Sequence, residues 1–211
     1  DALLEGCVRP RLLVREPSRL PARALERAEV TCGSMEDLDA LGAVVAGCGA
    51  VVHMAGLVRG ARPSQFDRAN RVGTENLVSA MRAHAPGARL VHLSSLAAVG
   101  PSVDPLGKSP DDPPHPVSIY GRSKLAGEAA VRSHAGAWVI LRPPAVYGPR
   151  DIDVLHFFRL AARGVVLIPA GERFMSVAFV ADVVRALVEL PQHRDAVGQV
   201  FNVGGTEEIA I

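Results

Sequence analysis

Tyr120 and Lys124 stand four residues apart in "SIYGRSKLAGE", residues 118–128. On a helix the two would lie one above the other, with about 6 Å between their β-carbons. An ammonium that close stabilises a phenolate, drawing a group with an ordinary pKa of about 10 toward the working pH. Such a phenol can give a proton to a carbon-bound oxygen or take one from it. A hydroxyl to hold and polarise that oxygen is offered by Ser95, the second serine of "RLVHLSS" (89–95). Tyrosine and lysine at this spacing are common on helix surfaces, and it is the serine pair upstream that makes an acid–base centre the better reading.

Those side chains need a scaffold that brings distant segments together. Short apolar runs recur as "RLLVR" (11–15), "AEVTC" (28–32), "AVVHM" (50–54), "RLVHLSS" (89–95) and "WVILRP" (138–143). They are apolar continuously rather than alternately, as in strands covered on both faces. Longer amphipathic stretches separate them, the pattern of parallel strands joined by helices. Phe66, Asn70, Gly73, Leu77 and Met81 draw one inward helical stripe, which Pro86 and Gly87 stop. The fold read from this is α/β, a doubly wound parallel sheet of Rossmann-like type. Arg15, Ser34, Gly56, Ser94, Ser95 and Pro143 each follow an apolar run. The carboxyl ends of parallel strands share one edge, so these residues are expected to converge on one crevice. A proline-rich loop from Gly100 to Pro116 is expected to border it.

Past Pro143 the pattern loosens: "DIDVLHFFRLAARG" reads as a helix, "VVLIP" and "SVAFV" as short strands, "DVVRALVEL" as a helix and "VFNV" as a last strand. Lys and Arg total 23 against 22 Asp and Glu, a net charge of +1. That balance provides no field for nucleic acid or an anionic membrane and leaves a small molecule as the expected partner. Cys7, Cys32 and Cys48 have neither metal-ligand nor disulfide spacing and suit free or buried thiols in a reducing, cytoplasmic setting. The uncharged run from Leu41 to Val58 contains four glycines and His53 and reads as a helix end, a turn and a buried strand rather than a membrane span. His53, His92 and His156 lack ligand spacing, so no metal is expected, and His53 and His92 are read as satisfied core histidines.

"VVHMAG" (51–56), "NRVGTENLVSA" (70–80), "VHLSSLAAVG" (91–100), "YGRSKLAGE" (120–128), "LRPPAVYGP" (141–149), "FVADVVRAL" (179–187) and "VFNVGG" (200–205) follow one another in this order. Together they make the chain resemble, along nearly its whole length, the extended short-chain dehydrogenase/reductases, also described as the NAD-dependent epimerase/dehydratase family. The resemblance implies an NAD(P) cofactor and three catalytic residues. Tyr120 would be the general acid/base, Lys124 its electrostatic partner and a ligand of the nicotinamide ribose, and Ser95 the catalytic hydroxyl. Asn70 falls on the family's helix asparagine near the cofactor. Met54, Ala55 and Gly56 would line the adenosine side through their backbone, Pro143 and Val146 would face the nicotinamide, and Ser94 is counted with this cofactor-binding set. Arg15 ends the strand where many NAD-preferring members carry an acid; a guanidinium there suits a 2′-phosphate and favours NADP. Ser34 replaces the family's usual aspartate beside the adenine, which weakens that contact.

The family begins with a strand and a glycine-rich phosphate loop that are missing here, and "DALLEG" looks like the tail of the helix that follows them. Family members also continue past the position of Ile211. The chain is therefore read as a fragment truncated at both ends, lacking the first strand of its sheet and binding dinucleotide poorly by itself. Residues 1–143 with 176–190 are the expected dinucleotide-binding domain, and 144–175 with 191–211 a partial substrate lobe. Matching back from Asp182 puts Met175 where nucleotide-sugar members carry a diphosphate-clamping arginine, with Arg173 two residues away. Phe157, Phe158, Phe174 and Met175 suit a less polar substrate. The leading expectation is an NAD(P)-dependent oxidoreductase for a secondary alcohol or ketone, resembling hydroxysteroid dehydrogenases and dihydroflavonol reductases. One alternative is a nucleotide-sugar epimerase or dehydratase. The other is a non-catalytic dinucleotide-binding or assembly subunit, against which the intact Ser95, Tyr120 and Lys124 set counts. A homodimer stays open.

Overall fold

A computed structural model of the chain describes residues 2–5, 8–102, 107–149, 151, 153–164, 174–204 and 209–210. Its first half alternates strand and helix: α1 (Ala2–Glu5), β1 (Arg11–Val14), α2 (Ala22–Arg27), β2 (Glu29–Cys32), α3 (Leu38–Val45), β3 (Ala50–His53), α4 (Pro63–Phe66), α5 (Gly73–His84) and β4 (Arg89–Leu93). Then follow α6 (Ile119–Arg132), β5 (Trp138–Arg142), β6 (Ala145–Tyr147), α7 (Asp153–Ala161), β7 (Phe174–Met175), β8 (Val177–Phe179), α8 (Val180–Glu189), β9 (Gln199–Asn202) and β10 (Ile209–Ala210). The continuous apolar runs do form parallel strands. "VVLIP" lies outside the described residues.

The central sheet has the order β3-β4-β5-β9, every pair parallel. Both of its faces are covered. Leu90 and Ile140 point into a cluster with Leu41, Val45, Leu77 and Met81 from α3 and α5. Their neighbours Val91, Val139 and Leu141 point the other way, against Val183 and Leu187 of α8. Each fully buried aliphatic side chain of this kind contributes about 1.5–3 kcal/mol. β9 had been expected in the substrate lobe; its parallel ladder with β5 instead places it in the main sheet.

β1 and β2 form a separate parallel pair. In the β1–β2 pair and in the β3-β4-β5-β9 sheet alike the strands lie in chain order, as within each half of a doubly wound fold. Among the described residues no ladder joins β1 to β3; Leu13 and Val51 each pack against the first apolar cluster.

Phe66, Asn70, Gly73, Leu77 and Met81 are all buried, as their spacing predicts, but the helix is not continuous. Residues Asp67–Val72 form a π-helical turn between α4 and α5, a feature that often marks functional sites. α6 starts where it does because Ser118 caps it, its hydroxyl accepting from the Gly121 amide at 2.9 Å. Gly121 also lets α6 press onto the 3-10 turn Leu96–Ala98, since a β-carbon there would lie 2.1 Å from the Ala97 carbonyl oxygen.

Candidate active site

The first turn of α6 brings Tyr120 to the carboxyl end of β4, and Lys124 follows one turn later. Lys124 is buried, and its ammonium donates to the Leu93 carbonyl at 2.7 Å. The Ser95 hydroxyl accepts from the Ala97 amide at 3.2 Å and lies close enough to the Tyr120 phenol to act on it. Tyr120 and Lys124 line a cleft of about 80 Å³ together with Met54, Gly56, Asn70 and Ser94. Leu57 and Val58 add an apolar wall to it. Of the expected Ser–Tyr–Lys set, Tyr120 and Lys124 line this cleft, and Ser95 lies beside the phenol.

One electrostatic expectation is overturned. Tyr120 does not have a lowered pKa: burial raises it, and the Ser95 hydrogen bond opposes that rise. The ammonium that was expected to lower it bonds to the β4 carbonyl instead. Lys124 itself is pulled down to about 8 by burial, and the carboxylate of Glu128 acts to raise it. At neutral pH the cleft therefore holds a protonated phenol and a charged ammonium.

Asn70 comes inward from the π-turn and bonds within the protein. Its Oδ1 accepts from the Leu57 amide at 2.7 Å, and its Nδ2 donates to the Leu57 carbonyl at 3.0 Å and to Ser123 Oγ at 2.8 Å. It ties the loop after β3 to α6, acting on the cleft wall. Gly56 leaves space beside it: a β-carbon would lie 2.9 Å from Asn70 Oδ1 and 3.7 Å from Lys124 Nζ. Met54, more than half exposed, lines the same opening, whereas Ala55 is exposed beside it. Pro143 is buried and its carbonyl accepts from the Leu96 amide at 2.9 Å. Val146 is half-buried against the second apolar cluster.

Arg15 and Ser34 lie away from this centre, at the ends of the separate β1–β2 pair. Arg15 is exposed, and its carbonyl accepts from the Cys32 thiol at 3.7 Å. The Ser34 hydroxyl accepts from the Glu36 amide at 3.2 Å, closing a local turn. Phe158 is exposed, and the side chains of Phe157, Phe174 and Met175 lie outside the described residues. Cys32 and Cys48 are free thiols, while Cys7 is outside the described residues.

Two residues of the site escaped sequence reasoning, Glu128 and Arg142. Ser94, which lines the cleft, donates to Glu128 Oε1 at 2.6 Å. Arg142 grips the same carboxylate, Nε to Oε1 at 2.8 Å and Nη2 to Oε2 at 2.7 Å. Glu128 and Arg142 are almost wholly buried. Their available signal was the repeat of the four-residue spacing, Tyr120, Lys124, Glu128, along one helix face. The two strand histidines need a partial correction as well. His53 is satisfied by Thr74 Oγ1 at 3.0 Å, but neither ring nitrogen of the buried His92 has a partner. The two rings lie 5.0 Å apart. No group of three or more His, Cys, Asp or Glu among the described residues could hold a metal ion, and no described helix is long and apolar enough to cross a membrane.

Comparison with known proteins places this geometry in context. A model of the NAD dependent epimerase/dehydratase family matches residues 2–204. The ceramide reductase of Caulobacter vibrioides is 38% identical over 166 residues, 79% of this chain and 47% of that protein. An uncharacterized protein of Sinorhizobium fredii is 30% identical over 209 residues, 94% of this chain and 58% of the relative. The chain spans about half the length of these curated relatives. Among solved structures, MoeE5 in complex with UDP-glucuronic acid and NAD superposes with a TM-score of 0.79 at 29% identity, over 96% of this chain and 70% of that one.

Proposed function

Because the chain belongs to the NAD-dependent epimerase/dehydratase family, we propose that its cleft is the nicotinamide and substrate end of an NAD(P)-dependent oxidoreductase for a secondary alcohol or ketone. The observation that carries this reading is the meeting of Ser95, Tyr120 and Lys124 at the end of β4. A bound nicotinamide would supply or accept the hydride. Lys124 and Tyr120 would hold its ribose, in the opening that Gly56 keeps clear. The backbone of Met54 to Gly56 would face the adenosine side, and exposed Arg15 would meet a 2′-phosphate, favouring NADP.

Tyr120 is set for the reductive direction. Burial keeps its phenol protonated at neutral pH, so it can donate to a carbonyl oxygen as negative charge develops there. Ser95, beside the phenol, would donate to the same oxygen and hold it in line. Once the phenol has given up its proton, the charged Lys124 one turn away stabilises the phenolate left behind. In the oxidative direction the same groups act in reverse order.

Met54, Leu57 and Val58 give the cleft an apolar side, which supports a substrate with an apolar body, of the hydroxysteroid or dihydroflavonol kind. The similarity to a protein named ceramide reductase favours the same class. We assign residues 144–175, whose first strand β6 pairs with β8 just beyond them, to the substrate-binding lobe. A nucleotide-sugar epimerase or dehydratase is the second reading, and the likeness to MoeE5 favours it. Replacing Tyr120 with Phe in the full-length protein, assayed with NADPH and NADH on a panel of steroid, flavanone and long-chain ketones, is expected to reduce turnover by about 10²–10⁴-fold. Turnover at the normal rate would refute the assignment. Tight binding of uridine or deoxythymidine diphosphate sugars would transfer support to the second reading.

A further inference from the structure

Glu128 sits at the junction of three elements: α6, which carries it, the carboxyl end of β4 and the carboxyl end of β5. Its side chain is 0% exposed, and its two oxygens take four hydrogen bonds. Two bonds from Arg142 form a bidentate clamp onto β5, the strongest geometry available to such a pair. Ser94 Oγ supplies the third bond, and Arg132 Nη1 the fourth at 3.1 Å. One turn earlier on the same helix face, Lys124 holds the Leu93 carbonyl. Leu93, the last residue of β4, and Ser94, which follows it, are therefore fastened to two consecutive turns of α6. The next residue is Ser95, whose hydroxyl meets Tyr120.

We propose that Glu128, clamped by Arg142, is a positioning residue that locks the end of β4 to α6 so that Ser95, Tyr120 and Lys124 face one cleft. The inference deepens the reading of that cleft as an oxidoreductase site and rests on it. Glu128 touches no reacting atom; it acts through Ser94 on the placement of Ser95 and through its charge on Lys124. The groups facing that ammonium are Glu128 on α6, His53 on β3 and His92 on β4, and burial holds both histidines neutral. Glu128 is thus the anion opposing the desolvation of Lys124.

Lys124 is one of two lysines in the chain, the other being Lys108, which makes its ammonium a readable probe. The experiment is a pH titration of the full-length protein labelled with [6-13C]lysine, in which the Lys124 signal is identified by its loss in Lys124→Arg. In the unaltered protein the midpoint is expected at about 8. Glu128→Gln should lower it by roughly one pH unit, and Glu128→Asp should restore most of the fall. If Glu128→Gln does not fold, the double variant Glu128→Gln/Arg142→Met removes both buried charges and gives the same reading. A folded Glu128→Gln or double variant with an unmoved midpoint overturns the proposal, because a purely structural residue changes stability without moving Lys124. Turnover is a second readout: with a ketone accepted by the unaltered enzyme, Glu128→Gln should reduce kcat about tenfold with little change in KM, and the loss should deepen as pH rises through the lowered midpoint. The titration needs no substrate, so failure of the oxidoreductase reading would appear in the Tyr120→Phe assay while the Lys124 midpoint is still measured.

Discussion

The carboxyl ends of β4 and β1 are alike in sequence and unlike in the fold. Each is a short parallel apolar strand followed at once by residues able to contact a ligand: Ser94 and Ser95 after β4, Arg15 after β1. β4 has partners on both sides, and its end is held from α6 by the Lys124 ammonium and the Glu128 carboxylate. β1 pairs only with β2 among the described residues and ends in an exposed arginine. Apolar strand sequence secures a place in a sheet, but preorganised chemistry requires polar cross-ties at the strand end. The Ser95–Tyr120 centre has side-chain ties of that kind, whereas at the end of β1 a 3.7 Å bond from the Cys32 thiol reaches the Arg15 carbonyl and leaves its side chain exposed.

The contrast can be broken at its strongest point by Arg142→Met. This leaves a fully buried carboxylate without its clamp and is expected to cost about 3–5 kcal/mol, read as a lower urea midpoint at pH 7. A smaller, pH-dependent effect sharpens it. Burial holds His53 at about 3 and His92 well below its ordinary range. Below pH 6.5 the unfolded chain takes up protons that the folded chain refuses, so stability falls as pH drops from 6.5 toward 3, by about 1.4 kcal/mol per pH unit for each histidine. Glu128, whose pKa is lowered, contributes stability that is present above the ordinary carboxylate range and is lost only below it, outside a comparison of pH 5 with pH 7. Urea unfolding at those two pH values should show His92→Leu losing about half of the acid sensitivity. The smallest stability change is expected from Arg15→Ala, which should leave the unfolding midpoint in place while weakening NADPH binding relative to NADH; an unchanged NADPH/NADH preference would remove Arg15 from the cofactor reading.

Much of β4's surroundings was legible in the residues. The apolar runs around Val52, Val91 and Val139 announce parallel strands, and Tyr120 and Lys124 four apart announce a helix face bearing the acid–base pair. The stripe from Phe66 to Met81 is buried as its spacing predicts. The π-turn within that stripe was hidden, because widening one helical turn leaves the inward residues inward. Glu128 and Arg142 were hidden for a different reason. A charged residue on a helix and one at a strand end each look solvent-facing until the fold places them against each other, and only their mutual bonds make burial tolerable. The direction of the Tyr120 shift was misread on similar grounds, since spacing along a helix reveals a nearby cation but not that a β4 carbonyl has already engaged it.

The loop that begins at Gly100 and returns before α6 has stems in contact. The His115 amide donates to the Val99 carbonyl at 2.7 Å, and a β-carbon on Gly100, whose φ is +89°, would lie 2.1 Å from the His115 carbonyl oxygen. A loop closed at its base behaves as an interchangeable cassette. Its ends stay at a fixed separation whatever lies between them, and doubling its length costs only about 0.6 kcal/mol of closure entropy. Descendants of such a chain can remodel the residues between the stems while Ser95 and Tyr120 on either side of the base keep their alignment.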